Sequence, residues 1–401
     1  MSLHDVSRFH AAAAAEELLI DVAQRLQLSP TKHATAVAHY EALCAHVDRP
    51  ESPLAGRVVT CYPSGSFGIG AVVASRAKTN QHDLDVVLEL DLPVDTPPSI
   101  VLGLLFNAIR GAPGSRYYDK TTLNSRCVTV EYEDGLTVDL MPIVRDGSIY
   151  EKRGVLFHSK AGENYRKPVN PYGFKTLYND TVDADPVFVA KFRALDEQRA
   201  LAKADVEPMD DHVRLEEKSP RTVALQLMKR FRDLRFRPRK GRKPPSVMLA
   251  AYALEKPNPR GSLLWELMEQ AEYVQRQLDY ASAFGRLVDV RNPSWREDVF
   301  TDRWPHEVAA QNLYSQDLRE LNEQLTLLAG VDFSPVNAKE ILQKLFGETA
   351  ATYALDEMMV RKASASEGGR LKFGPTGALI TGPAVITSPR AAIRSSTDWG
   401  A

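Results

Sequence analysis

The stretch "PSGSFGIGAVVASRAKTNQHDLDVVLEL", residues 63–90, joins a glycine-rich turn to a β-rich segment with two aspartates one residue apart. Gly65-Ser66 opens the turn, and Asp83 and Asp85 stand at the start of the apolar run. Side chains two positions apart in a strand point to the same face of a sheet, so the two carboxylates are expected side by side. Neighbouring carboxylates repel each other, which favours a bound cation, a shared proton or a solvated strand end.

The glycine-rich turn, Gly65 to Gly70, has the order G-x-x-G-x-G. Such a turn can bring backbone N–H groups close to phosphate oxygens, although it can equally be an ordinary tight turn. It fits neither a kinase loop nor a dinucleotide-binding fingerprint, because no lysine-bearing strand and no suitably spaced acidic residue follows it.

A third carboxylate, Asp139, lies in the apolar segment "LTVDLMPIV". An acid inside so apolar a strand is unfavourable unless it is paired or binds a metal. If this strand lies beside residues 84–90, three carboxylates converge, and oxygen-rich clusters of this kind suit Mg²⁺ or Mn²⁺. Two such ions could activate an attacking hydroxyl and stabilise a leaving pyrophosphate.

Periodicity and turn signals predict an α+β module followed by a helical half. The first half has two helices over 4–48, a helix at 98–110, and strands at 57–62, 84–90, 126–133 and 136–144, the last two joined by the hairpin signal Asp134-Gly135. A loop-rich stretch covers 157–174, and Asn170 to Phe174 is a turn into a helix. Further helices are expected at 186–204, 220–236, 245–256, 261–282, 303–329 and 337–347, with Ser219-Pro220 as a helix start. We divide the chain into a catalytic lobe with the N-terminal helices (1–165), a helical lobe (166–355) and a flexible tail (356–401).

Composition is that of an ordinary globular protein, with 401 residues and a net charge of −2. The three cysteines, Cys44, Cys61 and Cys127, have no CxxC spacing, which argues against a disulfide framework or zinc site and favours a reducing cytosol. The charged N-terminus does not fit a signal peptide, and no apolar run is long enough for a transmembrane helix. We therefore expect a cytoplasmic protein without a membrane partner.

The combination of Gly-Ser, D-x-D and a distant strand aspartate resembles the DNA polymerase β-type nucleotidyltransferases. More specifically, "GSFGIGAV…DLDVVLEL…LTVDLMPIV", with "ALQLMKRFRDLRF" and "KPPSVMLAAYA", is similar to the bacterial cGAS/DncV-like nucleotidyltransferases, the CD-NTases of CBASS anti-phage systems. The resemblance spans residues 55–255. It implies a bilobed α+β fold and synthesis of a cyclic di- or trinucleotide second messenger from nucleoside triphosphates, ATP or GTP among them, with a downstream effector reached through the product.

The resemblance also implies residue roles. Asp83, Asp85 and Asp139 would bind two Mg²⁺ or Mn²⁺ ions, and Asp139 would help deprotonate the attacking hydroxyl. The donor triphosphate would be held by the following residues: Gly65, Ser66, Lys229 and Ser246. For Lys229 and Ser246 the alternatives are a surface lysine and a helix-capping serine.

Residues 229–243, "KRFRDLRFRPRKGRK", carry nine Lys/Arg and one acidic residue; we call them the basic run. A solvated helix end is the default interpretation, and an electropositive wall for nucleoside triphosphates is the functional one. Phe231 and Phe236 are expected to face the core. Nucleic acid could use the same surface, although no Cys/His insertion of a DNA-sensing ribbon is present. Tyr117, Tyr172 and Tyr252 are candidates for stacking on a base, without a choice among them.

Two other functions stay open at the level of sequence. One is nucleotidyl transfer to RNA or protein, which the basic run motivates, and the other is a binding module with an inactive site. The chain ends Trp399-Gly400-Ala401, and the resemblance raises the idea of a ubiquitin-ligase-like (E1/E2-like) partner acting on this end, against the simpler interpretation of a tail without function.

Overall fold

The alternating apolar pattern of residues 84–90 forms a strand in the structure, a computed structural model of the chain. The structure describes residues 3–74, 82–147, 152–182, 188, 218–255, 261–330, 334–367, 371–373 and 379–381. Within these ranges, one large hydrophobic core lies against a mixed sheet and another among the helices that follow. The predicted α+β class with a helical C-terminal lobe is confirmed.

Two helices begin the chain, as the apolar spacing predicts: α1 (Leu3–Arg25) and α2 (Pro30–Val47). Ser29 caps α2, because its hydroxyl accepts a hydrogen bond from the backbone N–H of Lys32 and Pro30 stands in the first turn. Leu18 of α1 is buried in the helical core, whereas Leu43 of α2 is buried in the core of the sheet. The two N-terminal helices therefore pack against different lobes.

Seven strands form the mixed sheet, with two helices between them: β1 (Val58–Pro63), α3 (Gly65–Gly68), β2 (His82–Leu90), α4 (Pro98–Arg110), β3 (Thr121–Leu123), β4 (Val128–Glu131), β5 (Leu136–Arg145), β6 (Gly154–Lys160) and β7 (Glu163–Val169). The order is β1-β2-β5-β4-β3, and β6 pairs with β5 and β7. Among these seven described strands, only β2 and β5 pair in parallel. Parallel pairing needs a crossover connection, which α4 supplies.

The two faces of β2 differ in chemistry. Leu84, Val86 and Leu88 are buried in the core of the sheet, with the apolar side chains of α4. Asp83 and Asp85 alternate with them and so lie on the opposite face. A register shift of one residue would bury both aspartates, so the apolar pattern specifies the pairing.

The loop-rich prediction for residues 157–174 is wrong, because most of this stretch forms the β6–β7 hairpin. Its turn lies at Ala161-Gly162, where Gly162 has φ of +84°. Most of β7 is polar and exposed, so it lacks the alternation that would reveal a strand. Pairing with β6, which no local pattern encodes, makes it one.

The helical lobe contains α5 (Pro171–Thr181), α6 (Pro220–Phe236), α7 (Ser246–Glu255), α8 (Leu263–Ala283), β8 (Arg291–Asn292), β9 (Trp295–Val299), α9 (Val308–Leu328), α10 (Pro335–Phe346), α11 (Glu348–Glu367), β10 (Leu371–Phe373) and β11 (Leu379–Thr381). The predicted starts of α5 and α6 are confirmed. The Asn170 side chain accepts from the N–H of Gly173, and the Ser219 hydroxyl accepts from the N–H of Arg221. The helix expected at 186–204 falls outside the described residues, apart from residue 188.

Two predicted boundaries differ most from the structure. Helix α9 begins at Val308 rather than near residue 303, after the cis peptide bond between Trp304 and Pro305. The expected tail from residue 356 begins as helix α11, in which Arg361 is buried and hydrogen-bonded to Asp21 of α1. Residues 382–401, including Ala401, lie outside the described residues. The divisions proposed at 165 and 355 stay predictions.

Two of the three cysteines are paired, contrary to the expectation against disulfides. Cys44 of α2 and Cys61 of β1 form a disulfide, with Cα atoms 6.4 Å apart, and Cys127 is free. An odd number of cysteines excludes the pairing of all of them, but it still allows one disulfide. The packing of α2 against β1 brings these two cysteines together. Among the described helices, none is apolar over the length that a bilayer crossing requires. The cytoplasmic location stays a prediction.

Candidate active site

The three predicted aspartates lie together on one face of the sheet. In the parallel pairing of β2 with β5, Asp85 is directly opposite Asp139, and Asp83 is opposite Thr137. Cross-strand partners project to the same face of a sheet. The two strands thus bring together the carboxylates of Asp85 and Asp139, which are 54 positions apart in the chain.

Two threonines that sequence reasoning missed hold these carboxylates. The Thr137 hydroxyl donates to Asp83 Oδ1 at 2.5 Å, and the Thr129 hydroxyl donates to Asp139 Oδ1. Thr129 faces Asp139 across the β4–β5 pair. The spacing of Thr137, two residues before Asp139 and so on its face, is a signal that could have identified one of them.

The acidic cluster is electrostatically strained. Burial, then Asp139 and Asp83, raise the pKa of Asp85 to about 6, although Lys229 and the backbone N–H of Ser66 act in the opposite direction. Burial likewise raises the pKa of Asp139, with a contribution from Asp83. A bound cation would relieve this repulsion.

The donor chemistry of this cluster fits a hard divalent cation. All three groups are carboxylates, the ligands that Mg²⁺ and Mn²⁺ prefer, and their charges are only partly compensated. Within the described ranges, however, no three Asp, Glu, His or Cys side chains are already arranged as a metal cage. Asp83 and Asp139 each accept one threonine hydrogen bond at Oδ1, which leaves further acceptor sites on these carboxylates for a cation.

The Gly-Ser turn lies against Asp85. The N–H of Ser64 donates to the Asp85 backbone carbonyl at 2.8 Å, which joins the end of β1 to β2. Gly65 has φ of +51°, and a Cβ atom there would overlap with Asp85 Oδ2. Only glycine permits both this conformation and this approach. The turn is a single helical turn, α3, rather than a loop.

Lys229 reaches this turn from α6. Its Nζ donates to Ser66 Oγ and to the Ala71 carbonyl, both at 2.6 Å. The side chain is buried, which excludes the surface-lysine alternative. Burial, then the charge of Arg232, lower the pKa of Lys229 to about 7.

Ser246, the first residue of α7, is positioned by an arginine that sequence reasoning missed. Arg232 is 1% exposed, and its Nη1 donates to Ser246 Oγ and to the Pro244 carbonyl, both at 2.9 Å. Its Nε and Nη2 donate to Asp233 Oδ1, which also accepts from Lys243 Nζ at 2.8 Å. Arg232 is three positions after Lys229, on the same helix face, which is the signal that could have identified it.

A cavity of about 1030 Å³ brings all seven predicted residues together. The seven predicted residues in its wall are Gly65, Ser66, Asp83, Asp85, Asp139, Lys229 and Ser246. We call the three aspartates the sheet wall, and Lys229, Arg232 and Ser246 the helical wall. Carboxylates on one side and cations on the other suit a nucleoside triphosphate with bound metal ions.

The basic run divides between this cavity and ion pairs within the helical lobe. Arg239 pairs with Asp317 and Arg235 with Glu320, so these two cations are engaged within the helical lobe. Five others line the cavity: Lys229, Arg232, Arg237, Arg242 and Lys243. Phe231 is buried in the core as predicted, whereas Phe236 is partly buried and also lines the cavity.

The aromatic candidates for base stacking do not line the cavity within the described residues. Tyr117 is buried in the core of the sheet and Tyr252 in the helical core, while Tyr172 packs edge-on against Tyr62. The aromatic side chains that do line it are Phe174, Phe236, Phe300 and Trp304. Aromatic residues serve in cores and in sites alike, so sequence does not separate the two uses.

Comparisons with known proteins agree with this geometry. No protein-family model matches the chain. The cyclic dinucleotide synthase CdnG of Bradyrhizobium diazoefficiens is 35% identical over 399 residues, covering 96% of this chain and 94% of the relative. The solved structure of the Bradyrhizobium diazoefficiens CD-NTase CdnG in complex with GTP has a TM-score of 0.71 at 32% identity and covers 84% of this chain and 97% of that one. The E. coli MS115-1 CdnC:HORMA-deltaN complex matches with a TM-score of 0.55 at 16% identity, covering 83% of this chain and 97% of that one, which speaks for the fold alone.

Proposed function

This chain belongs to the bacterial cGAS/DncV-like nucleotidyltransferases, the CD-NTases, and we propose that it joins nucleoside triphosphates into a cyclic di- or trinucleotide with release of pyrophosphate. The product would be a second messenger that activates an effector in anti-phage defence, as the family resemblance implies. The observation that carries the proposal is the register of β2 and β5, which sets Asp85 opposite Asp139 on the wall of a cavity that Lys229 also lines.

The donor nucleotide would lie with its triphosphate between the two walls. Ser66 and Lys229 are already hydrogen-bonded to each other beside the acidic cluster, so both could contact phosphate oxygens at the same time. Ser246 would contribute a third hydrogen bond from the start of α7. Charge-assisted hydrogen bonds of this kind are stronger than neutral ones, which favours a protonated Lys229 in the complex.

The sheet wall would carry the chemistry. Asp83, Asp85 and Asp139 would hold two Mg²⁺ or Mn²⁺ ions, which when bound supply neutralisation of the phosphate charge. Asp139 would accept the proton of the attacking hydroxyl. The hydroxyl oxygen forms a bond to the donor α-phosphorus, the bond from that phosphorus to the β-phosphate oxygen breaks, and pyrophosphate leaves with the electron pair.

Guanine is the base that we place first among the substrates. This choice is supported by the solved structure of the relative CdnG, which is a complex with GTP. ATP is the second candidate. A ubiquitin-ligase-like partner at Ala401 stays a prediction, since that end of the chain lies outside the described residues.

The test is synthesis by the purified full chain with Mg²⁺ and the four nucleoside triphosphates. We expect pyrophosphate release and a phosphatase-resistant product whose mass identifies a cyclic dinucleotide or trinucleotide, and we expect EDTA to stop the reaction. The double substitution of Asp83 and Asp85 by alanine should abolish it. As a matched control, alanine at Asp91 and Asp95, exposed on the same lobe, changes the charge equally outside the cavity.

The outcome also separates the alternatives. Label that moves from ATP onto RNA or protein, rather than into small products, would favour a macromolecular target. Turnover of the Asp83/Asp85 double variant at the level of the unmodified chain would refute the assigned site.

A further inference from the structure

A second group of cations lines the same cavity, apart from the basic side chains of the helical wall. Arg126 precedes β4, Lys167 lies in β7, Arg242 lies between α6 and α7, and Arg303 follows β9. Two acids, Asp298 and Asp302, accompany them. We call these six residues the Arg303 cluster. Its four cations and two acids leave two positive charges uncompensated.

Both acids of the cluster are already engaged by other cations. Asp302 accepts from Arg126 Nη2, and Lys167 Nζ lies 3.4 Å from its other oxygen. Asp298 lies 3.8 Å from Lys167 Nζ, and it accepts from the N–H of Asn170 and from Asn292 Nδ2, both at 3.0 Å. Arg126 and Lys167 are therefore held in place by these acids.

Arg303 is different, because it is half-buried and forms no ion pair with any described residue. Among the residues that the structure describes, none forms an ion pair or accepts a hydrogen bond from its guanidinium. Burial, then the charges of Arg126 and Arg242, lower its pKa, and the charge of Asp302 acts in the opposite direction. A half-buried arginine that lines a cavity together with two further arginines is a site for an anion such as phosphate.

The cluster is close to the acidic site. Arg126 directly precedes Cys127 and strand β4, and Thr129 of the same strand donates a hydrogen bond to Asp139 Oδ1. The same cysteine lines the cavity. An anion at Arg303 would thus lie near Asp139, the group proposed to receive the proton of the attacking hydroxyl.

We propose that Arg303, with Arg126 and Arg242, holds the 5′-triphosphate of the acceptor nucleotide during the first transfer. This inference rests on the proposed function. The acceptor hydroxyl must lie beside Asp139, and its own 5′-phosphates begin one ribose away. These phosphates do not react in the first step, yet they carry several negative charges that need a site distinct from that of the donor.

The two successive transfers make different demands on this site. In the first, the acceptor carries a full triphosphate. The resulting linear intermediate then presents that triphosphate at the donor site, and the nucleoside that now acts as acceptor carries only a phosphodiester. Arg303 therefore contributes strongly to the first bond and weakly to ring closure.

The experiment compares two substrates in the full chain. The first substrate is the mixture of nucleoside triphosphates. The second is the synthetic linear intermediate that the wild-type chain would close into its cyclic product. Both reactions contain Mg²⁺. For Arg303→Ala we expect an increase of about tenfold or more in KM for the triphosphates, the effect of losing a charge-assisted hydrogen bond. Cyclisation of the linear intermediate should stay within about threefold of the wild-type rate, since a singly charged phosphodiester gains less from the guanidinium.

Two further variants complete the design. Arg303→Lys keeps the charge without the bidentate geometry and should recover part of the first step. Arg276→Ala removes an exposed arginine of α8, paired with Glu272, and should change neither reaction. Thermal denaturation checks that each variant is folded. If Arg303→Ala does not fold, Arg303→Lys replaces it in both reactions.

Each outcome bears on one claim. If Arg303→Ala leaves both reactions unchanged, or slows both equally, the acceptor-triphosphate role is refuted while the proposed function stands. A changed choice among the four bases with an unchanged KM would show that the cluster binds a base, and would overturn the proposal. If the wild-type chain forms no cyclic product from either substrate, the proposed function fails, and the inference with it.

Discussion

The two walls of the cavity differ both in charge and in how they are held. On the sheet wall, Asp85 and Asp139 face each other because β2 and β5 pair in register. On the helical wall, Lys229 and Ser246 are held through side-chain hydrogen bonds. Backbone pairing leaves a group little freedom to adjust, whereas a side-chain contact can be replaced with a smaller loss. We therefore expect the sheet wall to be the more sensitive to substitution.

The sharpest test of this difference is Asp85→Asn. Turnover should fall by at least about a hundredfold, because the change removes charge at the reacting phosphate. Stability at pH 7 without divalent ions should not fall, since burial and two neighbouring carboxylates raise the pKa of Asp85 to about 6 and its ionised form is disfavoured in the fold. Product analysis and thermal denaturation measure the two effects.

Asp95→Asn, at an exposed position of the same lobe, is the control for Asp85→Asn and should change neither quantity. More than a tenth of wild-type turnover in the Asp85 variant would mean that the sheet wall is not where the chemistry occurs.

The second test displaces the sheet wall without changing its charge. Gly65→Ala should push the Asp85 carboxylate aside and lower turnover by about a hundredfold, as misplacement of a reacting group by an ångström does. Gly70→Ala is the matched control, because Gly70 also has a positive φ, +64°, but a Cβ there meets nothing within 4 Å. Both variants share the backbone strain, so steady-state turnover isolates the contact with Asp85. Equal losses in the two would contradict the role assigned to that contact.

The third test concerns charge on the helical wall. Since the pKa of Lys229 is lowered to about 7, the lysine loses its proton as the pH rises, and its hold on the triphosphate weakens. The Kd of a non-hydrolysable nucleotide should rise about tenfold from pH 6 to pH 8 in the wild type and stay flat in Lys229→Met. The Lys229 contribution to the stability of the nucleotide-free chain should increase with pH, whereas its contribution to nucleotide affinity decreases. The neutral form is the one that burial favours, so the Lys229 contribution to the free energy of unfolding rises with pH above about 7.

A Kd that is independent of pH in the wild type would exclude Lys229 as the titrating contact. A pH dependence that persists in Lys229→Met would assign the effect to another group.

The smallest expected effect is that of Ser246→Ala. Loss of one hydrogen bond donated by a neutral hydroxyl costs about 1 kcal/mol, so KM for the triphosphates should rise by about fivefold at unchanged kcat. Ser99→Ala, exposed in α4, is the control. An unchanged KM would leave Ser246 with only its helix-start role, the alternative that the sequence also permits.

The sheet wall could be predicted largely from sequence. Its residues lie in segments whose period-2 alternation identifies strands, and an aspartate inside so apolar a strand is unfavourable unless it is paired or binds a metal. The helical wall was harder to predict from the sequence. Lys229 and Ser246 came from a family resemblance, and Arg232 was missed although it shares a helix face with Lys229.

Other features followed no local pattern. Hairpin strand β7 is polar along most of its length, and α11 lies where the composition suggested a tail. The pairing of Cys44 with Cys61 depends on how α2 packs against β1. Each of these is stabilised by contacts with distant segments rather than by its own residues.

By itself, the sequence determined the strands that carry the three aspartates, the face on which those aspartates lie, and the conformational freedom of the Gly-Ser turn, because these follow from periodicity and from backbone sterics within a few residues. Only the tertiary structure decided which cations are neutralised and which remain for a ligand. Arg126 meets its acid 176 positions away, whereas Arg303, beside that same acid in the chain, has no partner among the described residues. Such balances depend on which distant side chains are brought into contact, and no local pattern encodes them.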